Sequence, residues 1–287
     1  MNKGGLGDFN KLSTEQQKRY RDDSCQKTKF ALDHAIPIGF APPLRTFAIP
    51  LGGGQIGTWT FSRSLGKIDG GTGCVLRLQS RVFIVTAEHV LAGYEERRDN
   101  GELLNWQVGK LPPFVPRVAW RGGRKYNPKG KDMVFLEISE QQAIEACAGR
   151  THILSASTGL APAAPQVGQT VLLAGYPNEL REVDNGTVRV GAFSALCQVT
   201  RSTGDGTFKC RFEHSQLLSF DERPLPLKEL NANVGGMSGG PVFAVENINS
   251  YPFVGVITER CRSVLDDSDT IVVESVEGVP SSFPPIA

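Results

Sequence analysis

Apolar residues along this chain fall in short runs separated by Gly, Pro, Asn and Asp, a texture of strands and turns rather than of long amphipathic helices. From about Phe47 onward these runs predict strands over residues 58–61, 74–78, 81–86, 133–138, 171–174, 194–199, 208–212, 241–245, 253–257 and 270–273. Asp184-Asn185-Gly186-Thr187 lies between Glu182-Val183 and Val188-Arg189-Val190. It predicts a hairpin closed by a two-residue turn, because Asn and Gly tolerate the positive φ such turns require. The same letters spell a glycosylation sequon, which the turn reading displaces. A short helix is predicted over 140–147.

Two stretches interrupt this texture. Residues 1–45 read as an N-terminal extension. Within it Ser13-Thr14-Glu15-Gln16 has the form of a capping box and opens a polar helix running to about Leu32. Ile36-Pro37-Ile38-Gly39-Phe40-Ala41-Pro42-Pro43 then reads as an extended linker, since proline ends helices. Residues 155–166, rich in Ser, Ala and Pro, divide the remainder into two similar halves, as a linker between two barrels would. The expected organisation is an extension and linker over 1–45, a first barrel over 46–160, a second over 161–275 and a tail over 276–287.

Composition narrows the class. The 287 residues are 40% hydrophobic and 21% charged with a formal net charge of +1, which gives no global attraction to nucleic acid or to a membrane surface. No stretch approaches the ~20 apolar residues of a membrane span. The basic residues near Met1 are not followed by an apolar region, so a secretory signal is not expected and a cytoplasmic location is. Cys25, Cys74, Cys147, Cys197, Cys210 and Cys261 are scattered without CxxC spacing. They are expected to be free thiols in a reducing compartment, with no zinc site and no cofactor.

Three segments carry candidate chemistry: Thr86-Ala87-Glu88-His89 after an apolar strand, Lys131-Asp132-Met133-Val134 opening another, and Gly235-Gly236-Met237-Ser238-Gly239-Gly240-Pro241. A serine framed by glycines can sit on a tight exposed turn whose N–H groups converge on one point, as an oxyanion requires. His89, at the start of a short turn, can serve as a base fixed by rigid backbone. Asp132 at the lip of a buried strand needs a partner to offset desolvation, and the second nitrogen of His89 supplies one. The serine segment also satisfies Gly-x-Ser-x-Gly, but that hydrolase elbow needs a histidine after the serine, and His34, His89, His152 and His214 all precede Ser238. The order His, Asp, Ser survives. The basic loop 121–131 reads as a solvated surface.

Together these segments resemble the trypsin/chymotrypsin-like serine peptidase superfamily, particularly its intracellular bacterial-type branch. Gly71-Thr72-Gly73, Gly175-Tyr176-Pro177 and Val254-Gly255-Val256-Ile257-Thr258 are similar to further stretches of that family. The resemblance implies an all-β fold of two six-stranded antiparallel Greek-key barrels. It also implies a serine endopeptidase with the catalytic residues His89, Asp132 and Ser238, and an oxyanion hole from the N–H groups of Gly236 and Ser238. Ala232, Thr258, Glu259 and Arg260 fall where the substrate groove is expected. The partner is a protein or peptide substrate, with no nucleic acid and no membrane.

The departures are specific. Met237 stands where zymogen-activated members carry an Asp, and no Ile-Val-Gly-Gly start is present, so that activating ion pair is not expected. Val90 replaces the half-cystine beside the histidine. Ala232 at the base of the primary pocket does not select Arg or Lys. The competing expectation is a binding module on the same fold that is catalytically silent or switched by an activating or inhibiting protein partner.

Overall fold

The computed structural model describes residues 13–41, 59–61, 69–124, 130–147, 152–155, 160, 163–178, 181–184, 187–213, 236–247, 250–262, 268–280 and 282–283. In chain order the elements are α1 (Thr14–His34), β1 (Ile36–Ala41), β2 (Trp59–Phe61), β3 (Asp69–Leu78), β4 (Arg81–Thr86), α2 (Glu88–Asp99), β5 (Asn105–Val108), β6 (Val118–Arg121), β7 (Val134–Ile138), α3 (Glu140–Ala146) and β8 (Leu154–Ser155). There follow β9 (Thr170–Gly175), β10 (Arg181–Asp184), β11 (Thr187–Val190), β12 (Phe193–Ser202), β13 (Thr207–Glu213), β14 (Pro241–Ala244), β15 (Phe253–Arg262) and β16 (Ser268–Ser275).

Two sheets form the body. The first runs β5-β1-β3-β4-β7-β6 with antiparallel neighbours, and β8 adds in parallel to β3. It curls as a half-barrel. The second closes as a six-stranded barrel, β12-β13-β16-β15-β14-β9. A small sheet, β10-β11-β2, pairs the predicted hairpin with β2. Asp184 pairs with Thr187 as a two-residue turn dictates, although Asn185 and Gly186 themselves lie outside the described residues.

The apolar runs are continuous because the strands at the seam are buried on both faces. Successive side chains of a strand point to opposite faces. Val82 and Ile84 of β4 and Val134, Leu136 and Ile138 of β7 fill the first barrel, while Phe83, Val85 and Phe135 face the other way. In the second barrel Val171 and Leu173 of β9 and Val242 of β14 point inward, and Leu172, Ala174 and Phe243 point outward. The outward sets meet in one inter-barrel core with Cys74, Leu76 and Met133. The described residues therefore form three cores, one of which exists only when the barrels are docked.

The helix α1 and the segment around Phe283 seal that third core. The predicted capping box forms: Gln16 N–H donates to the Ser13 hydroxyl and Ser13 N–H to the Gln16 side chain. The last turns of α1 are anchored by Ala31 in the inter-barrel core and by Phe30 against Phe243 and Tyr251 at ring-centroid distances of 5.1 and 4.7 Å. At the other end Phe283 packs against Phe83 and Phe135 at 5.3 and 5.0 Å, and its carbonyl accepts from Arg81 Nη1.

Three expectations need correction. Ile36–Ala41 is not a linker: it pairs with β3 and β5 and buries Ile36, Ile38 and Phe40 in the first barrel, ahead of the expected boundary at 46. Pro37 is tolerated although it has no N–H to donate, and its carbonyl accepts from Gly109. His89 does not begin a short turn. It is the second residue of α2, whose Val90, Leu91 and Tyr94 are buried at helical spacing. β5 and β6 add to the expected strands, and β5 inserts Trp106 beneath Phe40, the rings stacked at 5.9 Å. The basic loop 121–131 is not simply solvated. Arg121 bonds Glu95, while Arg124 and Lys131 reach Glu274.

Cys74, Cys147, Cys197 and Cys210 are buried free thiols. Burial pushes Cys147 up to about 11 and the other three further. The side chains of Cys25 and Cys261 lie outside the described set. No described helix is long and apolar enough to cross a membrane, and no group of metal-holding side chains occurs among the described residues.

Two measurements test this packing. Phe283→Ala should cost about 3 kcal/mol in urea denaturation, because the aromatic cluster cannot collapse into the space. His34 is buried at the end of α1, its Nδ1–H donating to the Phe30 carbonyl. Desolvation, and secondarily the charge of His152, lower its pKa from 6.5 to about 4. The unfolded chain takes up that proton near pH 6.5 and the folded one resists it. Stability is therefore complete above 6.5 and falls as pH drops toward 4. His34→Gln, which keeps the donor without titrating, should flatten that part of the Tm profile.

Candidate active site

The serine segment folds as a turn pressed against β3. Gly236 has φ of +98° and Gly239 of +87°, conformations that L side chains resist. A Cβ on Gly239 would overlap the Thr86 hydroxyl and the Thr72 carbonyl. The turn is tied on both sides. Thr72 N–H donates to the Ser238 carbonyl at 2.8 Å and its hydroxyl to the Gly236 carbonyl at 2.6 Å. That hydroxyl in turn accepts from Tyr176 N–H at 2.9 Å. From β15, the Ile257 carbonyl accepts from Gly239 N–H at 2.6 Å.

His89 is fixed by where α2 begins. Asp132, just before β7, receives two bonds from it: His89 N–H to Oδ1 at 3.0 Å and Nδ1–H to Oδ2 at 2.7 Å. Burial pushes the Asp132 carboxyl up, but the hydrogen bonds and charge of His89, with Arg124 beyond, outweigh it and hold the group below its usual range. Such a bond sets the imidazole tautomer and leaves Nε2 as the acceptor. Gly71 links the two halves. A Cβ there would lie 2.7 Å from both the Ser238 carbonyl and a methyl of Val90, the neighbour of His89. His89, Asp132 and the Ser238 turn thus share one end of the seam.

The Ser238 hydroxyl itself donates to the Thr258 carbonyl at 3.5 Å, and among the described contacts it makes no bond to His89. Gly239 and Gly240 N–H are used by Ile257 and Met237, whereas no described backbone carbonyl accepts from Gly236 or Ser238 N–H. Met237 turns inward, 3% exposed, into the second barrel against Gly175. Apolar packing therefore backs the turn where an acidic residue would need a cation.

The expected groove residues are only partly in view. Thr258 is buried at a register shift between Ile257 and Glu259, a local bulge that breaks regular pairing beside the serine turn. Glu259 is exposed. Arg260 lies on β15 with its side chain undescribed, and Ala232 lies outside the described residues. Sequence reading missed the bonding role of Thr72 and the whole of Glu274; an acid within Ile271-Val272-Val273-Glu274 was the available signal.

The trypsin-like peptidase domain profile matches residues 71–248. That is more than half of the chain, and the chain belongs to the trypsin-like peptidase family. Its two-barrel architecture is the chymotrypsin-like fold of serine proteases. Among solved structures it is similar to protease Anisep from Arthrobacter nicotinovorans, with 13% identity, 86% of this chain and 91% of that one covered, and a TM-score of 0.44. It is also similar to the thermostable serine protease AL20 from an extremophilic microorganism, with 14% identity, 76% and 89% coverage, and a TM-score of 0.43. The serine protease of a human pathogenic astrovirus aligns at 15% identity over 80% and 93%, with a TM-score of 0.38. No curated protein matches the sequence.

Gly239→Ala tests the turn. The variant should lose about 3 kcal/mol of stability in thermal melts.

Proposed function

We propose that this protein is a serine endopeptidase. Ser238 Oγ attacks the carbonyl carbon of a peptide bond while His89 Nε2 takes the hydroxyl proton, and Asp132 orients the imidazole and stabilises its cation. The Gly236 and Ser238 N–H groups hold the oxyanion. His89 then gives its proton to the departing amine, and water activated by the same nitrogen releases the acyl group. The observation that carries this reading is the doubly bonded His89–Asp132 pair beside a glycine-framed serine turn. The four buried free thiols support a reducing, cytoplasmic setting.

A second reading keeps the fold but makes it silent until a partner engages. It is favoured by the Ser238 hydroxyl, which bonds Thr258 instead of His89.

A fluorophosphonate probe separates the two. In the enzyme reading the isolated wild type is labelled, Ser238→Ala is not, and Asp132→Asn slows peptide hydrolysis about 10⁴-fold. Unlabelled wild type, or labelling undiminished in Ser238→Ala, contradicts it.

A further inference from the structure

Asp132 is held from behind by a second carboxylate that belongs to the other barrel. Glu274, on β16, is 2% exposed. Its Oε2 accepts from the backbone N–H of Asp132 at 3.2 Å and from Arg124 Nη1 at 3.0 Å, and its Oε1 accepts from Lys131 Nζ at 3.3 Å. Lys131 also donates to the Ser275 carbonyl at 2.9 Å. Every one of these donors lies between β6 and β7 of the first barrel, and every acceptor on β16 of the second.

A buried carboxylate needs such a shell. Burial pushes the Glu274 carboxyl up, and Asp132 N–H, Lys131 and Arg124 oppose it. The surrounding backbone is cut to fit. Gly206, at φ of +87° in the β12–β13 turn, stands where any Cβ would meet the Lys131 ammonium at 2.5 Å, and its carbonyl accepts from Ser275 N–H. On the other side Lys131 N–H donates to the Gly122 carbonyl and Gly122 N–H to the Met133 carbonyl, which fixes the residues on either side of Asp132. Among the described residues, the contact from barrel two to the Asp132 backbone thus runs through the Glu274 side chain.

We propose that Glu274 is a positioning residue of the active site: it sets the Asp132 backbone across the seam, and through Asp132 the ring of His89. This rests on the endopeptidase reading above. Docking of the barrels and alignment of the pair become one event, because the carboxylate that orients His89 is itself oriented by the opposite barrel. Removing the Glu274 side chain frees the Asp132 peptide and leaves Lys131 and Arg124 beside a gap. Misplacement by about 1 Å of a group that orients the base costs about 10²-fold in rate.

The test uses the full chain and two variants. Glu274→Ala should slow fluorophosphonate labelling and lower kcat about 10²-fold with KM within about threefold. Glu274→Gln, which keeps an acceptor for Asp132 N–H and nearly the same volume, should recover about tenfold of that loss. The far-downfield proton resonance of the His89 Nδ1–H bond, assigned by its loss in Asp132→Asn, should broaden or vanish in Glu274→Ala and persist in Glu274→Gln. A merely structural role would lower Tm while leaving the resonance and the kcat of the folded protein unchanged, and that result overturns the proposal. Should Glu274→Ala not fold, Glu274→Gln decides: labelling about tenfold slower than wild type in the folded variant supports it, and an unchanged rate or a loss equal to a null enzyme contradicts it. Unlabelled wild type refutes the endopeptidase reading instead, while the resonance still reports on Glu274.

Discussion

The site depends on how closely the serine turn can approach β3, and Thr72 sets that distance. It is fully buried, and its N–H, carbonyl and hydroxyl are all engaged: with Ser238, with the Thr86 hydroxyl, and with Gly236 and Tyr176. A buried polar side chain is tolerated only when it is satisfied in this way. Neither barrel holds the arrangement alone. The strand supplies donors and acceptors, the second barrel supplies the turn, and Gly71 and Gly239 supply the space.

The same seam explains the apolar pattern of the chain. A strand that covers one core on each face cannot alternate apolar with polar residues, so residues 74–76 of β3, 82–85 of β4, 134–136 of β7 and 171–174 of β9, with β14, read as continuous apolar runs. Docking is therefore driven by burial, which is non-directional, and the polar contacts at its rim provide register. Thr72 holds one part of the rim and the Glu274 cluster another. The last turns of α1 and the Phe283 side chain cover parts of the apolar interior that would otherwise meet water.

Much of this was legible in the letters, and the exceptions have physical causes. Strands buried on two faces announce themselves, and the segments around His89, Asp132 and Ser238 are local, so spacing and chain order expose them. β1 was hidden by Pro37, although Ile36, Ile38 and Phe40 alternate as a strand should. α2 was hidden because its second half, Glu95 to Asp99, is charged and its buried face is short. Arg124 and Lys131 pair with Glu274 across 150 and 143 residues of sequence separation, and a single sequence carries no local sign of such a contact. The meaning of Thr72 was invisible for the same reason: its partners at Gly236 and Ser238 are distant in the chain and near only after docking.

The central claim is that the docked seam brings a reactive hydroxyl, an oriented imidazole and two N–H donors to one point. A crystal structure of the protein soaked with a peptidyl boronic acid tests it most directly. The account predicts boron bonded to Ser238 Oγ, one boronate oxygen within hydrogen-bond reach of Gly236 and Ser238 N–H, and His89 Nε2 bonded at the adduct with its link to Asp132 intact. Boron bound at another residue, or an adduct at Ser238 with both N–H groups turned away from it, would contradict the account.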